Sequence, residues 1–284
     1  MRKVYGFLPV ALMAMTFFTA GCKKDAASDP SETAYNNASF SKGGIMYNSF
    51  FSVEAGFDTL NVNYLNIKTH GAFFQCKQCH GFDGLGSNGA YINRAAKTTR
   101  PSVASVDLDE AAKNDSYQEL FDAIKETDGR RDISFDLSTY DPATATKMEG
   151  DKMPNFNQIL SDAQIWDLVK YLKEGRLDLS QLYDVTYSGT YPTGTATYTN
   201  IGKDGNAANG NAFFTANCAV CHNADGKGED GTIVGNFIRN RPSEAQHKIR
   251  YGQLNTDMIG QFAMNVTQMK DLFKACSDSL TYPN

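Results

Sequence analysis

The chain has 284 residues, enough for two domains, and 41% of them are hydrophobic, an ordinary share for a soluble globular fold. With 27 Lys and Arg against 32 Asp and Glu, its formal net charge is -5 at pH 7. That balance argues against nucleic acid or an anionic membrane surface as the partner. Four of the six cysteines fall into two short clusters of identical spacing.

In chain order, the first element is an export signal over residues 1–21. Arg2 and Lys3 supply a positive start, and Phe7 to Phe18 a short apolar core. The core is too short for a comfortable membrane span and is set aside from the fold. Thr19-Ala20-Gly21-Cys22 resembles the lipobox of bacterial lipoproteins, which implies that Cys22 becomes the first mature residue and carries lipid. A plain secretory signal with an incidental cysteine is the alternative. Residues 22–40, dominated by Lys, Asp, Ala, Ser and Asn, read as a flexible tether.

Cys76-Lys77-Gln78-Cys79-His80 comes next, and Cys218-Ala219-Val220-Cys221-His222 repeats its pattern. C-x-x-C-H is the attachment site of a c-type haem. The two thiols form thioethers to the porphyrin vinyl groups, and the histidine ligates the iron from the proximal side. Two competing readings carry less. A thioredoxin-like pair calls for a βαβ unit, and no such alternation surrounds either copy. A zinc site from Cys76, Cys79, Cys218 and Cys221 suits the spacing within each pair but leaves both histidines unexplained. Two covalently bound haem c groups are therefore expected. Haem of this type is attached outside the cytoplasm, in agreement with the export signal.

The repeat extends beyond the motif. Ala72-Phe73-Phe74 precedes the first copy and Ala212-Phe213-Phe214 the second. His80 to Gly86 and His222 to Gly228 share the pattern His-x-x-Asp-Gly-x-Gly, and Arg100-Pro101-Ser102 answers Arg241-Pro242-Ser243. The paired phenylalanines suit an apolar wall that excludes water. A carbonyl near Pro101 or Pro242 is expected to accept a bond from the histidine Nδ1, which would orient the ligand. Arg100 and Arg241 are expected to pair with haem propionates; a simple turn is the bland reading of Arg-Pro-Ser.

From about residue 41 onward the chain resembles the class I c-type cytochromes. The resemblance implies a mainly α fold of two tandem haem domains, residues 41–176 and 205–284. In that family a first helix bearing a glycine and an aromatic residue crosses a last helix, and a methionine is usually the sixth ligand. Gly210 and Phe214 follow this plan ahead of Cys218. In the first domain the helix is expected around Lys42 to Phe51, with Gly44, Tyr47 and the Phe50-Phe51 pair, and residues 52–70 as an insertion.

Met153-Pro154 precedes the capping box Ser161-Asp162-Ala163-Gln164, which opens a helix with Ile165, Leu168, Val169 and Leu172 on one face and Gly175 at its end. The family's Met-Pro loop makes Met153 the expected sixth ligand, with Met148 as its neighbour and rival. In the second domain Val266, Met269, Leu272, Phe273 and Cys276 mark the last helix. Counting back gives Met258 as sixth ligand, followed by Ile259-Gly260 rather than proline. Met264, Met269 and His247 stay open as alternatives, the last implying a bis-histidine iron. His70 reads as a loop histidine. Trp166 is expected near the first haem or the domain interface.

Residues 177–204, rich in Thr, Tyr, Gly and Ser, suit a β-hairpin or strap between the domains. The functional expectation is a dihaem carrier relaying single electrons between membrane-associated or extracytoplasmic protein partners, held to a membrane by its lipid. A dihaem enzyme, similar to thiosulfate dehydrogenases or peroxidases, is the alternative.

Overall fold

The computed structural model describes residues 30–144, 149–228, 231–254 and 256–284. The export signal, Cys22 and Met148 lie outside the described residues. Among the described residues the architecture is mainly helical, with one two-stranded sheet between two helical units.

The stretch expected as a tether is helical in its second half. Helix α1 (Pro30–Asn37) docks through Tyr35, which is buried, stacks on Tyr117 at 3.9 Å and donates to Glu174 at 2.6 Å. A single aromatic anchor in a polar sequence is a weak signal, so composition alone concealed it. Among the described residues no helix is long and apolar enough to cross a membrane.

The first unit is organised by α2 (Phe40–Asn48) crossing α7 (Asp162–Lys170). Between them come α3 (Val62–Ile67), α4 (Cys76–His80), α5 (Leu108–Asn114) and α6 (Tyr117–Lys125). The crossing needs a residue without a side chain, because a Cβ on Gly43 would collide with the Asp167 carbonyl. Gly44, the glycine expected there, instead faces Tyr251 of the second unit. Asp167 also accepts from the Ser39 backbone N–H at 2.6 Å, tying the start of α2 to α7. The Ser161–Gln164 capping box forms as expected, and the helical run ends at Gly175, although its last turn is not α-helical. The chain passes from α7 into a π-helical turn, Tyr171–Gly175.

The linker is an antiparallel hairpin, β1 (Asp184–Ser188) and β2 (Thr195–Thr199), with Tyr187 opposite Ala196. It touches both units. Tyr191 Oη accepts from the Val103 backbone at 3.1 Å, while Leu182 and Tyr183 are buried in the second core.

The second unit repeats the crossing. Helices α8 (Ala207–Asn217), α9 (Ala219–His222), α10 (Val234–Asn240), α11 (Pro242–Tyr251) and α12 (Val266–Cys276) follow in order. Gly210 lies against the Asp271 carbonyl of α12, and Asp271 accepts from the Asn206 backbone N–H at 2.7 Å. Ser39, Gly43 and Asp167 in the first unit therefore match Asn206, Gly210 and Asp271 in the second. Tyr47 and Phe214 fall four residues after their glycines, one helical turn on, and both are buried.

Helix α11 joins the units. His247, fully buried, packs on Phe82 at 4.8 Å and on Tyr171 at 5.8 Å. Arg250 and Tyr251 both donate to the Gly175 carbonyl, which belongs to the π turn.

Candidate haem sites

In the first unit the motif forms one helical turn, α4, that ends at Gly81, where φ is +70°. The corresponding position in the second repeat is Asn223, at φ +54°. Asparagine tolerates this left-handed backbone better than other residues with side chains. Directly after Asp83 and Asp225 of the shared pattern, Gly84 and Gly226 adopt φ of +75° and +74°, so the repeated glycine is required by the backbone.

Burial pushes the Cys76 thiol up to about 12, with the neighbouring Cys79 thiol adding to it. Burial also pushes Cys79 up to about 12, opposed by the Arg131 guanidinium. His80 is pushed down to about 4 by burial, then by Arg130 and Arg176. Cys76 and Met153 pack on the same hydrophobic cluster, which includes Phe73 and Phe74.

The methionine loop is held by a short parallel bridge. Arg131 N–H donates to the Met153 carbonyl at 2.9 Å, and Asn155 N–H donates to the Arg131 carbonyl at 2.8 Å. The Arg131 side chain is only 1% exposed, and its guanidinium lies over Phe74 at 4.6 Å and Phe73 at 5.7 Å. Its Nη1 has no hydrogen-bond partner. Its Nε donates to the Lys152 carbonyl at 3.4 Å, but a buried guanidinium with no carboxylate in contact is costly, so this arrangement fits a group that brings its own. Arg131 escaped the sequence reading because no local motif marks it; only the fold carries it to the motif.

Arg100 is anchored locally through one nitrogen. Its Nε donates to the Ala95 carbonyl at 2.9 Å, and the segment beyond it runs beside the motif, with Ala104 N–H donating to the Cys79 carbonyl at 2.9 Å. Pro101 is buried there. The two Arg-Pro-Ser segments are not alike in structure, because Pro242 is the first residue of α11. The bonds expected from carbonyls near Pro101 and Pro242 are not formed: the Nδ1 atoms of His80 and His222 are buried without a partner.

In the second unit a cavity of about 660 Å³ is lined by Cys218, His222, Arg241, Met258, Leu272 and Cys276, among others. Burial pushes Cys218 up to about 11. Cys221 and Val220 are exposed, the latter 88%. Met258 sits in a loop folded back on itself, where its carbonyl accepts from Gln253 N–H at 3.2 Å. Met264 and Met269 are core residues and do not line the cavity. His247 does not line it either. That imidazole turns to the first unit, where its Nδ1 meets the Tyr171 hydroxyl at 3.2 Å. Arg241 reaches the cavity with a side chain 66% exposed and 3.8 Å from Glu244.

The remaining residues take simpler places. Trp166 stacks on Phe121 of α6 at 4.4 Å, and His70 is exposed. Among the described residues no three His, Cys, Asp or Glu side chains are grouped to hold a metal ion. The four motif cysteines therefore do not assemble the zinc site that their spacing alone permits.

The family model for cytochrome c matches residues 70–176 and again 207–274, together more than half of the chain. No curated protein and no solved structure matches it. Each matched region contains one thiol–imidazole turn, one methionine loop and all or most of the last helix of its unit. The chain thus belongs to the cytochrome c family, whose domains carry covalently bound haem and transfer electrons.

Proposed function

We propose that the protein is a lipid-anchored dihaem cytochrome that relays single electrons between membrane-associated and extracytoplasmic protein partners. Cys76, Cys79 and His80 hold one haem and Cys218, Cys221 and His222 the other, with Met153 and Met258 as sixth ligands. Haem bound in these sites supplies an iron that alternates between the ferric and ferrous states. The methionine thioether, a weak donor to ferric iron, favours the reduced state relative to a second histidine. Phe73 and Phe74 exclude water from the first site, and the Arg131 guanidinium pairs with a propionate there. Arg241 is placed for the same role at the rim of the second. Lipid on Cys22 keeps the protein at a membrane.

The observation that carries this reading is the lining of the second cavity. Cys218, His222 and Met258 meet there, while Met264, Met269 and His247 are committed elsewhere. A histidine and a methionine leave no open coordination position, which suits a carrier. A dihaem oxidoreductase is the second reading, favoured by the free Cys276 thiol on the same cavity.

The test is the mass and the visible and EPR spectra of protein matured in a host that attaches haem. Two porphyrin increments and two low-spin His/Met signals are expected. A high-spin or thiolate-ligated iron would transfer the assignment to the enzyme reading.

A further inference from the structure

Helix α11 has two working faces, and the loop that follows it belongs to both. Ala245, Lys248 and Ile249 line the second cavity, whereas His247, Arg250 and Tyr251 lie against the first unit. At 100° per residue these two sets fall on opposite sides of the helix. After Gly252 the chain runs out to Met258 and returns at Gln261. The arms of this loop meet at its neck, where Gln253 N–H donates to the Met258 carbonyl at 3.2 Å and Gln261 N–H to the Ile249 carbonyl at 2.8 Å. Neither arm has room for a side chain there. A Cβ on Gly252 would collide with the Met258 carbonyl, and one on Gly260 with the Arg250 carbonyl. Met258 therefore stands where the end of α11 puts it.

The first unit, in turn, fixes the end of α11. Arg250 is only 5% exposed; its Nη1 donates to the Gly175 carbonyl of the π turn and its Nη2 to the Phe262 carbonyl at 3.3 Å. One planar guanidinium thus spans the first unit and the returning arm of the loop. Tyr251 donates to the same Gly175 carbonyl, and its ring lies against Gly44 of α2, where a Cβ would collide with it. The Phe262 ring stands 6.0 Å from that of Tyr251, and Leu254 and Phe262 pack on the hydrophobic cluster of the first unit, of which Tyr251 is a buried member. The methionine loop of the first unit is held differently, by the bridge from Met153 to Arg131 of its own unit.

We propose that Arg250 is a positioning residue that clamps the methionine loop of the second haem to the first unit, so that the unit carrying one haem holds the sixth ligand of the other. The proposal rests on the reading of Met258 as that ligand. Arg250 touches no reacting atom in this scheme; it decides how much of the time the loop is closed. With the clamp released, the loop leaves the cavity while Cys218, Cys221 and His222 keep their hold, and a sixth position opens.

The experiment is carbon monoxide binding to the reduced full-length holoprotein, read beside the proton NMR signals of iron-bound methionine methyl groups. Carbon monoxide needs a free sixth position, so its binding rate follows the fraction of protein with the methionine detached. A C218A/C221A variant, which retains only the first haem, assigns the two sites. R250M keeps bulk at the seam and loses both donors. Carbon monoxide binding at its second haem is expected to be faster by about tenfold or more, the change in closed-to-open ratio that one lost charge-assisted hydrogen bond brings, and unchanged at its first. F262A tests the same clamp from the loop, with the same acceleration expected, and decides alone if R250M fails to fold. Unchanged rates, or equal acceleration at both haems, overturn the proposal. M258A is expected to show a single methionine methyl signal; two signals there would sink the Met258 assignment itself, which tells that failure apart from failure of the clamp.

Discussion

The two units share one helix crossing and differ in what is wrapped around it. Ser39, Gly43 and Asp167 do in the first what Asn206, Gly210 and Asp271 do in the second. The first unit adds residues 52–74 and a long excursion between α6 and α7. Phe50, Phe57, Phe73, Phe74 and Phe156 come largely from those additions and close around the motif. The second unit has a smaller core, and its motif keeps Val220 and Cys221 exposed. The crossing thus specifies where a haem turn sits, and the insertions specify how much water reaches it.

The crossing itself is the easiest feature to break. Valine at position 43 or 210 would drive a Cβ into a helix carbonyl, with no flexible side chain to yield. A loss of about 3 kcal/mol is expected for each, at the upper end for overpacking. G210V should unfold its unit at a lower temperature than G43V does, because fewer buried contacts resist it. Thermal unfolding followed in the haem absorption of each unit checks this, and equal effects would mean the cores are equally robust.

Access should separate the sites next. Reduction of the oxidised protein by ascorbate is expected in two phases, with the second haem at least about tenfold faster if its open motif edge governs encounter. Stopped-flow traces of the C218A/C221A variant should lose the fast phase. Loss of the slow phase instead would reverse the assignment of open and closed sites.

Charge sharpens the contrast further. R131M should lower the midpoint of the first haem, because the buried guanidinium opposes the ferric state in a poorly screened place. R241M should move the second midpoint less, since that side chain is 66% exposed. A shift in R241M as large as that in R131M would show that enclosure does not control the electrostatics.

Much of this was legible in the chain, for reasons that differ by residue. The C-x-x-C-H turns and the Ser161–Gln164 capping box are local chemistry at fixed spacing, which a sequence displays directly. The mainly helical fold was implied by the resemblance to class I c-type cytochromes, and the small β linker by the Thr, Tyr and Gly run. Gly43 was harder to choose, because Gly43 and Gly44 are adjacent and only the direction of α2 decides which meets α7. Arg131 and the docking face of α11 were invisible, since both depend on segments brought together over long separations. His247 shows the same limit. As one of four histidines it invited a ligand role, yet its helix turns it away from the second cavity and into the first unit.

That histidine provides the subtlest test, because it belongs to neither haem site but to the seam between them. Burial holds the His247 imidazole neutral, with its proton affinity well below the ordinary value, and Lys77, Arg176 and Arg250 reinforce this. In the unfolded chain the imidazole titrates near about 6.5. Above that pH both states are neutral, and the contribution to stability is complete. As pH falls below it, the unfolded chain takes up a proton that the folded protein refuses. Stability then drains by at most about 1.4 kcal/mol per pH unit until the depressed folded value is reached. H247F keeps an aromatic ring against Phe82 and Tyr171 and removes the titration. Thermal midpoints measured from pH 8 to pH 5 should therefore fall more gently in H247F than in the parent, with both haem bands affected alike. If the acid limb is unchanged, the seam is not what weakens first, and the two units respond to acid through their own cores.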